Sequence, residues 1–205
     1  MKAFLCLILG YLIGCFNPAA LISKIKHVNL KQEGTKNLGA TNTTLVLGKK
    51  AGILVLVTDI FKSILSYRLA RSLFPQLMLA GLIACLGTLI GHCFPIFMRF
   101  QGGKGLASFG GMILAYNPRI FLVLLVSGLV MVFIANYGVV LAMYAGILFP
   151  VTVYFHSHDW GATLLSAAAS GFIMFMHRDN VRRTLAGEDT PVRSWFRKEF
   201  CHKKC

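Results

Sequence analysis

Residues 118–135 read Pro-Arg-Ile-Phe-Leu-Val-Leu-Leu-Val-Ser-Gly-Leu-Val-Met-Val-Phe-Ile-Ala, and residues 137–155 continue Tyr-Gly-Val-Val-Leu-Ala-Met-Tyr-Ala-Gly-Ile-Leu-Phe-Pro-Val-Thr-Val-Tyr-Phe. No charged side chain falls between Arg119 and His156. An α-helix needs roughly 20 apolar residues to cross the hydrocarbon core of a bilayer. The stretch therefore predicts two membrane spans, Ile120 to Ala135 and Tyr137 to Phe155, meeting at Asn136. Working outward, similar runs cover Ala3–Ile22, Ala51–Leu73, Leu77–Phe97 and Trp160–Met176, with a shorter one over Leu106–Ala115. Only Lys2 precedes the first run and no small-residue cleavage site follows it, so it reads as a retained helix. Gly14, Asn17 and Pro18 interrupt it near its end.

The whole composition agrees. Of 205 residues 56% are hydrophobic and 14% charged, and the mean hydropathy is +0.68. A soluble domain carries about 25% charged residues, and a disordered chain lacks this apolar content. Lys and Arg number 21 against 7 acids. In a soluble protein that balance would suggest nucleic acid. Here the bases lie mostly between apolar runs, where orientation, anionic lipid or a phosphorylated substrate accounts for them, and no nucleic-acid partner is expected.

Loop charge sets the orientation. Ser23–Lys50 holds six Lys and one Glu, Met98–Gly105 holds Arg99 and Lys104, and the tail after Met176 holds eight bases. Phe74–Gln76 and His156–Asp159 hold no Lys or Arg, and Tyr116–Arg119 holds one. Seven spans place every basic segment on one side when the amino terminus is outside. The expected fold is thus all-α and polytopic, one membrane domain over residues 1–205, with seven transmembrane helices and a cytoplasmic carboxyl terminus.

Three polar segments carry candidate chemistry. Glu33-Gly34-Thr35-Lys36-Asn37-Leu38-Gly39-Ala40-Thr41-Asn42 is rich in turn formers. Glycines admit a close backbone and successive N–H groups form anion nests, while Thr, Asn and Lys36 add donors and charge. Gln101-Gly102-Gly103-Lys104-Gly105 opens the short run at Leu106. Amides at a helix start attract phosphate and a Lys among glycines reaches it, although the spacing is not that of a Walker loop. His177-Arg178-Asp179-Asn180 follows the last span. In a continuous helix His177 and Asn180 share a face, suited to gripping a hydroxyl or phosphate. Plain orienting charge remains the alternative for the bases in all three.

Within the second span Asp59 and Lys62 stand at i and i+3, and an intramembrane ionisable group generally faces a partner inside the bundle. They are expected to form a structural ion pair, and His92 a helix-positioning hydrogen bond. Cys6, Cys15, Cys85 and Cys93 read as small buried residues. Cys201, His202 and Cys205 are too few for a closed zinc site, so no metal is expected.

Together the three segments resemble the bacterial acyl-phosphate:glycerol-3-phosphate acyltransferases, the PlsY family, over essentially the whole chain. The first family pattern is matched by Gly34, Asn37, Gly39, Ala40, Thr41, Asn42, Leu47 and Gly48. Gly91, His92, Phe94, Pro95, Phe97, Phe100, Gly102, Gly103, Lys104, Gly105 and Ala107 match the second. The third is matched by His177, Arg178, Asn180, Arg183 and Gly187, while Asp59 and Lys62 match a further Asp-x-x-Lys element. The chain departs from the family at Thr35 for Ser, Lys36 for Gly, Leu45 for Arg, Ser63 for Gly, Gln101 for Lys and Asp189 for Glu.

The resemblance implies transfer of a fatty acyl group from acyl phosphate to the first hydroxyl of glycerol 3-phosphate, at the cytoplasmic face of a bacterial plasma membrane and without a cofactor. On that expectation Thr35, Lys104, His177 and Asn180 are catalytic. Lys36, Asn37, Gly39, Thr41, Asn42, Gly102, Gly103 and Gly105 bind substrate phosphate. The partners are fatty acyl phosphate, glycerol 3-phosphate and membrane lipid, with the oligomeric state left open. A transporter or binding protein for a phosphorylated solute, and a low-activity paralogue with another acceptor, are the alternatives.

Overall fold

One helix explains why these residues fold as they do. Along α4 (Lys49–Leu73) the buried positions are Gly52, Val55, Asp59, Lys62, Ser63, Ser66, Tyr67 and Ala70, a stripe at helical spacing. Its exposed side carries Ile53, Leu54, Leu56, Val57, Phe61, Leu65 and Leu69. Polar residues inside and large aliphatic residues outside is the reverse of a water-soluble helix, and it fits a helix whose surroundings are lipid.

The computed structural model describes residues 1–194; the bases of the far tail and the Cys201–Cys205 run lie outside the described residues. All regular elements among the described residues are helical, and they form two compact units, Met1–Pro118 and a second beginning at Arg119. The first contains α1 (Lys2–Gly14), α2 (Pro18–Ile25), α3 (Ala40–Leu47), α4, α5 (Ala80–Cys93), a single 3-10 turn at Ile96–Met98 and α6 (Leu106–Tyr116). The second begins one residue into α7 (Pro118–Ala135) and contains the rest of it with α8 (Val139–Ser157), α9 (Trp160–Met176) and α10 (Arg178–Leu185). Four segments, Lys2–Ile25, Ala80–Met98, Pro118–Ala135 and Val139–Ser157, are long and apolar enough to cross a membrane, and α6 and α9 are shorter apolar helices.

The first apolar run is broken rather than continuous. Helix α1 stops at Gly14; Asn17 then caps α2, its side chain accepting the Ala20 N–H at 2.9 Å, and Pro18 occupies the first helical position. The break leaves the carbonyls of Gly14 and Phe16 without helical donors, and α4 answers them from inside the bundle.

Helices α1 and α5 cross at Gly10-x-x-x-Gly14 and Gly87-x-x-x-Gly91. A Cβ at Gly10 would overlap the Ala84 carbonyl oxygen, and one at Gly87 the Leu7 carbonyl oxygen. Small residues let helix backbones approach closely where hydrophobic burial supplies no drive. Thr88 ties the seam, its hydroxyl lying 2.7 Å from Ser66 Oγ on α4 and 3.2 Å from the Gly10 carbonyl.

In the second unit α8 and α9 pack side by side, and Asp159 caps α9 by accepting the Gly161 N–H at 2.7 Å. After α10 the chain returns to the turn between α7 and α8. Val192 N–H donates to the Asn136 carbonyl at 2.9 Å, Arg193 N–H to the Asn136 side chain at 2.8 Å and Arg193 Nη2 to the Phe133 carbonyl at 2.8 Å.

Candidate active site

The first glycine-rich loop is shaped from within by Asn42. This side chain is fully buried. Its Nδ2 donates to the Leu30 carbonyl at 2.8 Å and its Oδ1 accepts the Thr35 N–H at 2.6 Å. Asn42 therefore staples the two ends of the loop to the start of α3. Thr35, Lys36 and Thr41 remain exposed and Asn37 half-buried. Lys36 has φ +55°, the left-handed region that disfavours side chains. This is the position where the family pattern has Gly, so the departure noted in the sequence carries a conformational cost of about 1 kcal/mol. Gly39 caps α3, whose first intrahelical bond runs from Thr43 N–H to the Gly39 carbonyl at 3.0 Å. Leu45, on α3, is 46% exposed.

The second loop is docked onto the end of α5. Gly102 N–H donates to the Cys93 carbonyl at 3.0 Å and Gly103 N–H to the His92 carbonyl at 3.1 Å. These two amides are committed to the protein itself. Gly105 has φ +82° as it leads into α6, a conformation glycine adopts without penalty. The amides of Leu106, Ala107 and Ser108 precede the first bond of α6, from Phe109 N–H to the Gly105 carbonyl at 2.8 Å. Lys104 is half-buried between Gly103 and Gly105.

The two loops meet. A Cβ at Gly103 would overlap His92 Nε2 and lie 2.6 Å from the Leu38 carbonyl oxygen. Lys31 Nζ reaches across to Gln101 Oε1 at 3.1 Å. The starts of α3 and α6 each follow within a few residues of this contact, so the positive ends of two helices and Lys104 share one region. Such ends attract anions.

Beneath the loops Asp59 Oδ1 lies 2.8 Å from Lys62 Nζ and 3.3 Å from His92 Nδ1, with all three side chains nearly inaccessible to solvent. Lys62 Nζ also lies 2.7 Å from His92 Nδ1, and donates to the carbonyls of Phe16 at 3.0 Å and Gly14 at 3.3 Å. The histidine contact is legible only in three dimensions, since thirty residues of sequence separate the two.

In the second unit His177 separates α9 from α10 at φ −99° and ψ 3°, yet its carbonyl accepts the Val181 N–H at 3.0 Å, so the two helices are linked through it. It is buried, and its Nδ1 donates to the Ile173 carbonyl at 2.9 Å. A carbonyl only accepts, so Nδ1 carries a proton. Asn180 lies half-buried on α10. Asp189 accepts from the Thr184 hydroxyl at 3.3 Å.

A multi-pass helical membrane protein with two glycine-rich basic loops packed against each other is the class this fold defines. The glycerol-3-phosphate acyltransferase family model matches residues 4–187, and the chain belongs to that family. It is 33% identical over 208 residues to the glycerol-3-phosphate acyltransferase of Lactiplantibacillus plantarum, covering 100% of both chains. It is 38% identical over 194 residues to that of Exiguobacterium sibiricum, covering 91% of each. Among solved structures it resembles PlsY (YgiH), an integral membrane glycerol 3-phosphate acyltransferase. The glycerol 3-phosphate form aligns with a TM-score of 0.86 at 28% identity, covering 93% of this chain and 96% of that one. The lysophosphatidic acid form aligns with a TM-score of 0.84 at 28% identity, covering 93% and 95%.

Proposed function

We propose that the protein transfers a fatty acyl group from acyl phosphate to the sn-1 hydroxyl of glycerol 3-phosphate. The acceptor oxygen forms an ester bond to the acyl carbon, the bond from that carbon to the phosphate oxygen breaks, and the hydroxyl proton leaves with inorganic phosphate. The products are 1-acyl-glycerol 3-phosphate (lysophosphatidic acid) and phosphate. The observation that carries this reading is the meeting of the loops at Leu38 and Gly103, which brings Lys104 and the starts of α3 and α6 into one anion-attracting region.

An acyl phosphate is already activated, so positioning and charge stabilisation supply most of the rate. In the proposal Lys104 and the first-turn amides of α6 hold phosphate. Thr35, Lys36, Asn37, Gly39 and Thr41 form the polar wall of the first loop, while Asn42, Gly102, Gly103 and Gly105 serve through the backbone shape they impose. His177 and Asn180 orient the acceptor. No cofactor takes part.

The same proposal places seven spans in a bacterial plasma membrane as one domain, with the amino terminus outside and the active face cytoplasmic. Two contacts support that sidedness. In the first unit Lys31 meets Gln101 from the other basic loop, and in the second the segment after α10 meets the α7–α8 turn at Asn136. The test is purified protein in detergent with acyl phosphate and glycerol 3-phosphate. Phosphate release that depends on the acceptor, with lysophosphatidic acid formed in equal amount, is the expected result. Release without the acceptor, or no release, refutes the proposal.

A further inference from the structure

Lys62 sits where three elements join: its Nζ pairs with Asp59 Oδ1 at 2.8 Å, lies 2.7 Å from His92 Nδ1, and donates to the carbonyls of Phe16 at 3.0 Å and Gly14 at 3.3 Å. His92 Nδ1 faces both this ammonium and Asp59 Oδ1, at 3.3 Å, and Nε2 lies on the opposite edge of the ring. That edge of the ring is turned to Gly103, where a Cβ would overlap it, and the His92 carbonyl accepts the Gly103 N–H at 3.1 Å. His92 thus holds the second loop through both its ring and its backbone.

The other arm runs to the first loop. Phe16, bound to Lys62, is followed by Asn17, which is buried and whose Nδ2 donates to the Leu38 carbonyl at 3.5 Å. Leu38 is the residue that meets Gly103. One buried ammonium is therefore connected to both sides of the seam between the loops. An ion pair whose only task was to join helices would be complete with Asp59 and the Gly14 and Phe16 carbonyls; the bond to His92 adds a path to Lys104.

We propose that Asp59, Lys62 and His92 form a buried positioning network that sets the spacing of the two glycine-rich loops and hence the placement of Lys104. The inference rests on the reading of those loops as the phosphate site. None of the three touches substrate; each acts through the loops.

The test uses the full chain in detergent and three variants. His92→Asn keeps an acceptor for Lys62 and removes the ring edge that supports Gly103. Asp59→Asn with Lys62→Met removes both charges together, a change that leaves bundles folded where loss of one partner does not. Asp59→Glu keeps every charge and lengthens the carboxylate by one methylene, and it carries the test where the other two do not fold. Thermal midpoint, glycerol 3-phosphate affinity by calorimetry, and kcat and KM are measured for each. The expected result is a folded protein whose kcat/KM falls about a hundredfold, the scale of a misplacement near 1 Å, and in which a further Lys104→Ala change costs far less than it does alone.

Folded variants with parental kcat/KM, or losses that multiply independently of Lys104→Ala, overturn the network. A parent that binds glycerol 3-phosphate but transfers no acyl group refutes the catalytic reading instead. The network is then judged on affinity, where values equal between parent and variants overturn it.

Discussion

Gly103→Ala tests the seam between the loops with the smallest possible change. A Cβ there would lie 2.6 Å from the Leu38 carbonyl oxygen, against about 3.4 Å for ordinary contact, and would overlap His92 Nε2. Relief requires the loops to separate by the difference, 3.4 − 2.6, or about 0.8 Å. Neither neighbour yields easily: Leu38 presents backbone, and the His92 ring is held by Lys62 at 2.7 Å. Overpacking of this kind costs about 1–3 kcal/mol of stability. A displacement near 1 Å in a positioning element costs about a hundredfold in rate, which is about 2.7 kcal/mol of transition-state stabilisation. The assay is phosphate release from a long-chain acyl phosphate at varied glycerol 3-phosphate, with the thermal midpoint measured in parallel. Gly171→Ala is the control, since a Cβ there meets nothing within 4 Å and Ala favours a helix by about 1 kcal/mol. A Gly103→Ala protein within about threefold of parental kcat/KM would falsify the reasoning, because it would mean the loops separate without consequence for the site.

Lys104→Ala is expected to abolish or severely reduce acyl transfer while expression and membrane insertion persist, and near-normal turnover at saturating substrate would remove its phosphate role. Lys36→Ala is expected to raise the KM for glycerol 3-phosphate more than it lowers kcat, the pattern of lost uniform binding. If Lys36 supplies the cation that the family pattern carries at position 45, Leu45→Arg in that background is expected to recover affinity non-additively, and an unchanged KM in the single variant rejects that compensation. In a cysteine-free background, single cysteines near Lys49 and Gln101 should be shielded from an impermeant thiol reagent in intact cells while one at His158 is labelled. Labelling in the opposite pattern would overturn the seven-span orientation.

Hydropathy and punctuation alone marked out the long helices: the uncharged run from Ile120 to Phe155, the stop at Asn117-Pro118 and the basic segments between runs were all readable along the chain. They were readable because solvation in lipid and turn formation are local, each depending on a residue and its near neighbours. The three motifs were also legible, since phosphate chemistry calls for glycines, small donors and a lysine in close succession. Roles within those motifs were not. Nothing in the order of residues distinguishes Asn42, wholly buried and bonded to Leu30 and Thr35, from the exposed Thr41 beside it. Nor does it reveal that Gly102 and Gly103 spend their amides on α5. The paired Gly10/Gly14 and Gly87/Gly91 spacings were a visible signal for the α1–α5 seam, but they become meaningful only when the helices face each other. His92 and Lys62 likewise acquire their relation only through packing. Local solvation and turn chemistry were determined by the sequence by itself. The tertiary structure decided which polar atoms meet, because a buried hydrogen bond is satisfied by whichever distant group the packing brings within 3 Å, and that choice belongs to the whole bundle.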